Sequence, residues 1–230
     1  MLIDIAHVTH TYTAGPASRT VLRDVSVTLT ERRIGVVGHN GSGKSTFLRL
    51  LNGLIVPSRG RVVVDGLDTA KDAAGVRRTI GFLFTDPDSQ IIMPTVAEDV
   101  AFGLRKSALS QEERAARVDA LLTRFGLDGH RDHPAHLLSG GQKQLLALAS
   151  VLVTEPAALV MDEPTTLLDL RNAALIGRTI ADLGQTVVLA THHLHLLDGF
   201  DRVLVFDDGR VVADAAPAEA LAHYRRLMDA

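Results

Sequence analysis

The stretch Gly38-His39-Asn40-Gly41-Ser42-Gly43-Lys44-Ser45-Thr46 decides the fold. It matches the pattern G-x-x-x-x-G-K-[ST], in which glycines let the backbone fold tightly around phosphate oxygens. Residues 34–37 are apolar and mostly β-branched, so they predict a strand before the loop. From about Ser45 the apolar residues recur at helical spacing as far as Leu54, so a helix follows. Strand, loop and helix N-terminus together predict a binding site for phosphate.

Two side chains of this loop have specific roles in the pattern. Lys44 can reach the β- and γ-phosphates of a nucleotide, and the Ser45 hydroxyl can bind Mg²⁺. An unliganded glycine-rich turn is the alternative interpretation. The motif alone does not choose between a kinase, a GTPase and an ATPase.

A second acidic site follows the apolar residues 159–161, which predict a strand ending in Asp162 and Glu163. Ligands of parallel sheets bind at the carboxyl ends of the strands. Asp162 therefore suits Mg²⁺, and Glu163 can position the attacking water or accept its proton. The alternative is a pair of solvated acids at a strand end.

The segment Leu138-Ser139-Gly140-Gly141-Gln142 lies at the start of a predicted helix that runs to about Val153. Its two glycines and its serine hydroxyl form a second anion-binding helix terminus, here without a lysine. One chain with two such termini binds either two ligands or one ligand shared between two chains.

The order of the predicted elements gives the fold class. Continuous apolar strands alternate with helices, which predicts a mainly parallel sheet covered on both faces. We expect an α/β fold with a P-loop NTPase core, an N-terminal antiparallel β subdomain and an inserted α-helical subdomain. It forms one domain, 1–230, with the core and β subdomain at about 1–86 and 155–230 and the helical subdomain at about 87–154. The predicted strands are 2–8, 25–29, 34–37, 61–64, 158–161, 186–190 and 202–206, with a hairpin connection at 13–18 and a helix at 170–183.

Composition excludes several classes of function. The chain has 230 residues, a formal net charge of −3 and no cysteine. Disulfides, thiolate metal sites and a cysteine nucleophile are therefore excluded, and the slightly acidic balance argues against nucleic acid as a partner. We expect no signal peptide, and the apolar run 145–153 is too short to span a bilayer. A membrane role would require a partner.

Across nearly its whole length the sequence resembles an ABC-type ATPase subunit, and Leu138 to Gln142 match that family's signature motif. The resemblance implies that the signature of one subunit closes over ATP held by the phosphate loop of another. It implies a homodimer, or a pair with a related ATPase. Tyr12 lies where the family stacks an aromatic ring on adenine, although a packed surface tyrosine is the alternative. His192 resembles the switch histidine at the γ-phosphate, and Asp169 resembles the acid of the dimer-contact loop.

The main departure from the family is Thr85, where glutamine is usual. Threonine keeps an oxygen for Mg²⁺ but reaches less far, and we do not expect Gln90 to replace the glutamine directly. His193 stands where an acidic residue is common. The residues expected to bind nucleotide are Tyr12, Gly38, Asn40, Gly41, Ser42, Gly43, Lys44, Ser45, Thr46, Ser139, Gly140, Gly141 and Gln142; those expected to hold Mg²⁺ are Ser45, Thr85 and Asp162, and those expected to catalyse are Glu163 and His192.

Residues 84–90 and 94–103 resemble the energy-coupling-factor branch of this family, the ATPases of vitamin and metal-ion importers. The resemblance implies a membrane coupling protein and a substrate-binding membrane subunit as partners, at the cytoplasmic face of the membrane. Asp86 and Asp88 could pair with arginines of the coupling protein; alternatively they cap a helix, with Asp88 before Gln90.

The short length and Thr85 resemble the ATPases of biotin importers. Importers of cobalt, nickel or other vitamins are alternatives. Two further possibilities are a soluble ABC ATPase acting on DNA or ribosomes and a nucleotide-binding regulator without turnover.

Overall fold

The computed structural model describes residues 1–15 and 17–229. They divide into two compact units. The first consists of Met1–Ile80, Ala157–Glu163 and Gly184–Ala230, and the second of Gly81–Pro156 and Pro164–Leu183. The segment expected to be helical, 87–154, falls in the second unit, which also includes Pro164–Leu183.

The strands and helices are numbered in chain order. The strands are β1 Ile3–Ala14, β2 Ala17–Leu29, β3 Arg33–Gly38, β4 Arg59–Val64, β5 Leu67–Asp68, β6 Ile80–Leu83, β7 Ala158–Asp162, β8 Thr186–Ala190, β9 Arg202–Asp207 and β10 Arg210–Ala215. The helices are α1 Lys44–Leu51, α2 Ala73–Thr79, α3 Val96–Phe102, α4 Gln111–Arg124, α5 Gly140–Leu152, α6 Leu170–Ala181 and α7 Pro217–Met228.

The first sheet, in the first unit, has the strand order β2-β1-β4-β5. β1 pairs antiparallel with both β2 and β4, which confirms the predicted antiparallel subdomain. The hairpin between β1 and β2 closes at the pair Ala14 and Ala17, in agreement with the predicted connection. Pro16, which belongs to that predicted connection, lies outside the described residues.

The second sheet has the order β10-β9-β3-β8-β7-β6. β3 pairs parallel with β8 and β9, β7 pairs parallel with β8, and β10 is an antiparallel edge strand. Every residue of β7 is buried, as is typical of a parallel strand covered on both faces. Since β3 and β7 flank β8 in parallel, the loop after β3 and the acids at the end of β7 share one edge of the sheet.

The second unit contains α3, α4, α5 and α6, and its helices begin at well-formed caps. Ser110 accepts from the N–H of Glu113 at 3.2 Å, and the Glu113 carboxylate accepts from the N–H of Ser110 at 2.7 Å. This is a capping box, which satisfies two N–H groups that the helix leaves without partners. Among the described residues, no helix is both long enough and apolar enough to cross a bilayer.

Candidate functional site

The glycines of the phosphate loop are required by close approaches of the backbone. Gly38 has φ 154°, and a Cβ there would lie 2.3 Å from the Phe206 carbonyl oxygen. Gly43 caps α1 in the left-handed region with φ 107°, and a Cβ there would lie 2.8 Å from Leu22 Cδ2. The loop can therefore take this shape only with glycine at both positions, and the resulting cradle suits a phosphate.

Lys44 is held inside the loop. Its Nζ donates to the Gly38 carbonyl at 2.7 Å and to the His39 carbonyl at 3.2 Å. Only 6% of the residue is exposed, and burial lowers the pKa of the ammonium, against the opposing effect of the Glu163 and Asp162 charges. A buried cation held by loop carbonyls is positioned to bind an anion that enters the loop.

Ser45 and Asp162 form the pair of oxygens that suits Mg²⁺. The Ser45 hydroxyl donates to Asp162 Oδ1 at 3.0 Å, although 117 residues separate the two in sequence. Burial raises the pKa of Asp162, and the hydrogen bond from Ser45 partly offsets the rise. An octahedron with metal–oxygen bonds of about 2.0–2.1 Å has neighbouring oxygens about 2.9 Å apart, so this hard-oxygen pair fits one edge of a Mg²⁺ site.

Glu163 is held at the end of β7 in a conformation unusual for glutamate. Its φ is 52°, in the left-handed region, and its N–H donates to the Ala190 carbonyl at 3.0 Å. Such a conformation persists where surrounding contacts over-determine it, and it is common at functional sites. This backbone conformation directs the Glu163 carboxylate away from the direction of β7 and toward the segment after β8.

His192 links Glu163 to the phosphate loop. The His192 N–H donates to Glu163 Oε2 at 3.1 Å. Its ring Nε2 lies 3.1 Å from Glu163 Oε1 and 3.0 Å from Asn40 Oδ1. Two oxygens face Nε2, which favours a proton on this nitrogen. Burial lowers the pKa of His192, although the Glu163 charge opposes the shift, and the neutral ring is favoured.

Tyr12 lies beside the first turn of α1. Its hydroxyl is 3.4 Å from the Thr46 hydroxyl, and its ring packs edge-on against His10 with the centroids 4.6 Å apart. The residue remains 41% exposed. A ring that is fixed at one end and one edge, yet open to solvent, can stack on a planar base.

The segment Leu138–Gln142 begins α5 in the second unit. Ser139 Oγ accepts from the Gln142 N–H at 3.3 Å, and Gln142 Oε1 accepts from the Ser139 N–H at 2.9 Å. The Ser139 hydroxyl proton therefore remains available to a ligand, as do first-turn N–H groups that lack intrahelical acceptors. A Cβ at Gly141 would lie 2.4 Å from Asn172 Cγ, whereas at Gly140 the nearest atom would be Leu168 Cδ2 at 3.9 Å.

The remaining polar residues predicted from the sequence also lie in the second unit. Asp86, rather than Asp88, caps a short 3-10 helix at Pro87–Ser89, and its Oδ1 accepts from the Asp88 N–H at 3.0 Å. Asp88 instead pairs with Lys143 at 2.7 Å, so the capping alternative holds at Asp86 and not at Asp88. Gln90 bonds the Phe84 N–H and the Ala147 carbonyl within the same unit, at 3.4 and 3.3 Å.

Thr85 and Asp169 complete the predicted set. Thr85 belongs to the second unit, whereas Ser45 and Asp162 belong to the first. Its role as a third Mg²⁺ ligand therefore stays a prediction. Asp169 caps α6 and accepts from the Asn172 N–H at 2.8 Å.

Sequence reasoning missed two features around the loop. His39 Nε2 lies 3.2 Å from Asp207 Oδ1, so the loop is tied to the end of β9. A Cβ at Gly41 would lie 3.6 Å from Arg19 Nη2, which places a guanidinium beside the loop. No motif marks Arg19. The β1–β2 pairing, which sets it opposite Tyr12, is what identifies it.

Comparison with known proteins agrees with this geometry. The model of the ABC transporter family matches residues 22–166. A biotin transport ATP-binding protein of Rhizobium etli is 50% identical over 91% of this chain and 93% of its own length. An energy-coupling factor transporter ATP-binding protein of Caldanaerobacter subterraneus is 40% identical, over 95% of this chain and 82% of its own. A dimeric ATP-binding cassette, MJ0796, solved in a post-hydrolysis state with ADP and Pi, superposes with a TM-score of 0.83 at 29% identity, over 94% of this chain and 98% of its own.

Proposed function

Because this chain belongs to the ABC transporter family and is an ABC ATPase, we propose that it is the ATP-hydrolysing subunit of an energy-coupling-factor importer, with biotin as the imported molecule. The observation that carries the ATPase site is the contact of Ser45 with Asp162, together with the contacts of His192 with both Glu163 and Asn40. These contacts join the phosphate loop to the acids of β7 and to the segment after β8.

The loop binds the phosphates of ATP. Its backbone N–H groups and the N-terminus of α1 face the β- and γ-phosphates, and Lys44 adds a buried positive charge. Tyr12 stacks on the adenine. Ser45 and Asp162 would hold Mg²⁺, which when bound neutralises charge on the β- and γ-phosphates, and Thr85 is proposed as a further oxygen ligand.

Glu163 and His192 act at the γ-phosphate. Glu163 accepts a proton from water while the water oxygen forms a bond to the γ-phosphorus and the bond to the β–γ bridging oxygen breaks. The products are ADP and inorganic phosphate. His192 donates its Nε2 proton in a hydrogen bond to a γ-phosphate oxygen, and its N–H keeps the Glu163 carboxylate in place.

Two copies of the chain close over the nucleotide. Ser139, Gly140, Gly141 and Gln142 of one copy contact the γ-phosphate held by the loop of the other, because a helix N-terminus that offers first-turn N–H groups and the Ser139 hydroxyl proton is complementary to an anion. ATP binds the closed pair better than the open one and so favours closure. The dimeric MJ0796 cassette, solved with ADP and Pi, supports the pairing of two copies.

The transport role rests on relatives. The biotin and energy-coupling-factor names of its relatives support a membrane coupling protein and a substrate-binding membrane subunit as partners, with this chain at the cytoplasmic face. An importer of cobalt, nickel or another vitamin is the alternative assignment. Isolation of the intact membrane complex followed by mass spectrometry of its bound small molecule tests biotin directly, and a complex that retains another vitamin or a metal ion contradicts it.

The catalytic assignment is tested with Glu163→Gln. We expect at least about a 100-fold loss of ATP turnover, since a general base contributes this much or more. ATP should then convert the variant from monomer to dimer in size-exclusion chromatography coupled to light scattering, and removal of Mg-ATP should return it to monomer.

Glu155→Gln is the matched control for this change. Glu155 is also a left-handed glutamate, with φ 51°, but it pairs with Arg117 at 3.2 Å instead of lying at the loop. Its turnover should stay close to that of the wild type. Unchanged turnover in Glu163→Gln would refute the assigned role, and a variant that stays monomeric with ATP would refute the shared site.

A further inference from the structure

Arg19 shares a sheet face with Tyr12. The two residues are direct partners in the antiparallel pairing of β1 with β2, so their side chains leave the sheet on the same side. The Tyr12 hydroxyl reaches Thr46 at 3.4 Å, which shows that this side faces the first turn of α1. The hairpin thus brings Arg19 to the phosphate loop.

The Arg19 guanidinium lies against the loop itself. A Cβ at Gly41 would be 3.6 Å from Arg19 Nη2. Between β2, the loop and the turn after β9 is an open polar cavity of about 300 Å³, which Arg19, Arg23, Gly41 and Asp208 help to line. A second cation therefore stands at the loop in addition to Lys44.

The two arginines that line this cavity differ in whether a carboxylate pairs with their charge. Arg23 Nε lies 3.6 Å from Asp208 Oδ2, so its charge is partly neutralised. Arg19 is exposed, and none of the ion pairs among residues 1–15 and 17–229 includes it. Its charge contributes nothing evident to the fold, while the neighbouring loop is built to receive phosphates.

We propose that Arg19 is a second cationic contact for the phosphate chain of the bound nucleotide, in addition to the buried Lys44. The inference rests on the proposed placement of ATP in that loop. A guanidinium pairs with phosphate oxygens through its fork of N–H donors, so Arg19 favours nucleotides according to the charge of their phosphates. The contact strengthens binding of ATP and ADP but not of adenosine.

Calorimetric titration of Mg-ATP, Mg-ADP and adenosine tests the contact in the full chain. Arg19→Ala should weaken Mg-ATP binding about five- to tenfold at low salt, the effect of one partly solvated charge at contact distance. The loss should shrink in 0.5 M salt because the ions screen an exposed charge. Arg19→Lys should recover most of the affinity, whereas Arg23→Ala, the matched control, should change it less than twofold.

The variants distinguish an incorrect role for Arg19 from an incorrect placement of the nucleotide site. Lys44→Ala should abolish measurable Mg-ATP binding; if it does not, the proposed nucleotide site is wrong. If Lys44→Ala abolishes binding but Arg19→Ala leaves the affinity within twofold of wild type, only the role of Arg19 is refuted. An equal loss for adenosine and Mg-ATP would place the contact at the base or ribose and would also refute it.

Discussion

Replacement of Gly209 by alanine tests how the fold supports the phosphate loop. Gly209 lies in the turn between β9 and β10 with φ 76°. Its N–H donates to the Ser42 carbonyl at 3.0 Å, and its carbonyl accepts from the Arg23 N–H at 2.9 Å. The turn therefore joins the loop to β2, and a change at Gly209 acts on both.

The expected cost has two parts. Alanine in the left-handed region costs roughly 1–2 kcal/mol relative to glycine. The new Cβ would also lie 2.3 Å from the Val21 carbonyl oxygen, closer than real Cβ contacts come, so backbone must move. Overpacking of this kind adds about 1–3 kcal/mol, which brings the total to roughly 2–5 kcal/mol.

Gly66→Ala is the matched control, because Gly66 has φ 87° and nothing within 4 Å of its Cβ position. Chemical denaturation should give a loss of about 1–2 kcal/mol for Gly66→Ala and a clearly larger loss for Gly209→Ala. At a temperature where both remain folded, only Gly209→Ala should also weaken Mg-ATP binding, because it shifts the anchor of Ser42. Equal losses of stability in the two variants would refute the argument from close approach.

Two further predictions concern the signature segment and an ion pair. Gly141→Ala should displace Asn172 and lower stability by about 1–3 kcal/mol in denaturant melts, whereas Gly140→Ala, whose Cβ would make only an ordinary contact with Leu168 Cδ2 at 3.9 Å, should be nearly neutral. Burial acts to raise the pKa of Glu31, but backbone and Arg202 hydrogen bonds outweigh it and leave the pKa below 4.5. Glu31→Gln should therefore cost about 1 kcal/mol at pH 7, and the cost should disappear as the pH falls through that lowered pKa; a pH-independent difference would contradict the ion pair.

The sequence predicted the elements whose signals are local. The strands expected at 158–161, 186–190 and 202–206 are present as β7, β8 and β9. β6 and β10 were not predicted. β6 has only four residues, and β10 alternates with half-buried positions at the sheet edge, so neither carries the long apolar run that marks a central strand. β1 extends to Ala14, beyond the expected end at residue 8, because pairing with β2 decides where a strand stops.

The sequence identified residues of the site but not the contacts between them. The phosphate loop and the signature segment are contiguous, so their patterns identify Lys44 and Ser139 directly. The pairing of His192 with Asn40 joins residues 152 apart, and no local pattern contains it. Arg19 has no motif of its own, and only the register of β1 with β2 places it at the loop.

Under the proposed function, the buried charges of the site favour the ligand-bound state over the empty state. Burial lowers the pKa of Lys44, raises that of Asp162 and lowers that of His192, so each group is driven toward its neutral form. A triphosphate favours the charged ammonium, and a divalent cation favours the charged carboxylate. Bound together, the two ligands reverse the penalties that the fold imposes on Lys44 and Asp162. If the site holds Mg-ATP as proposed, the desolvation of Lys44 and Asp162 therefore favours the metal-bound nucleotide over either component alone.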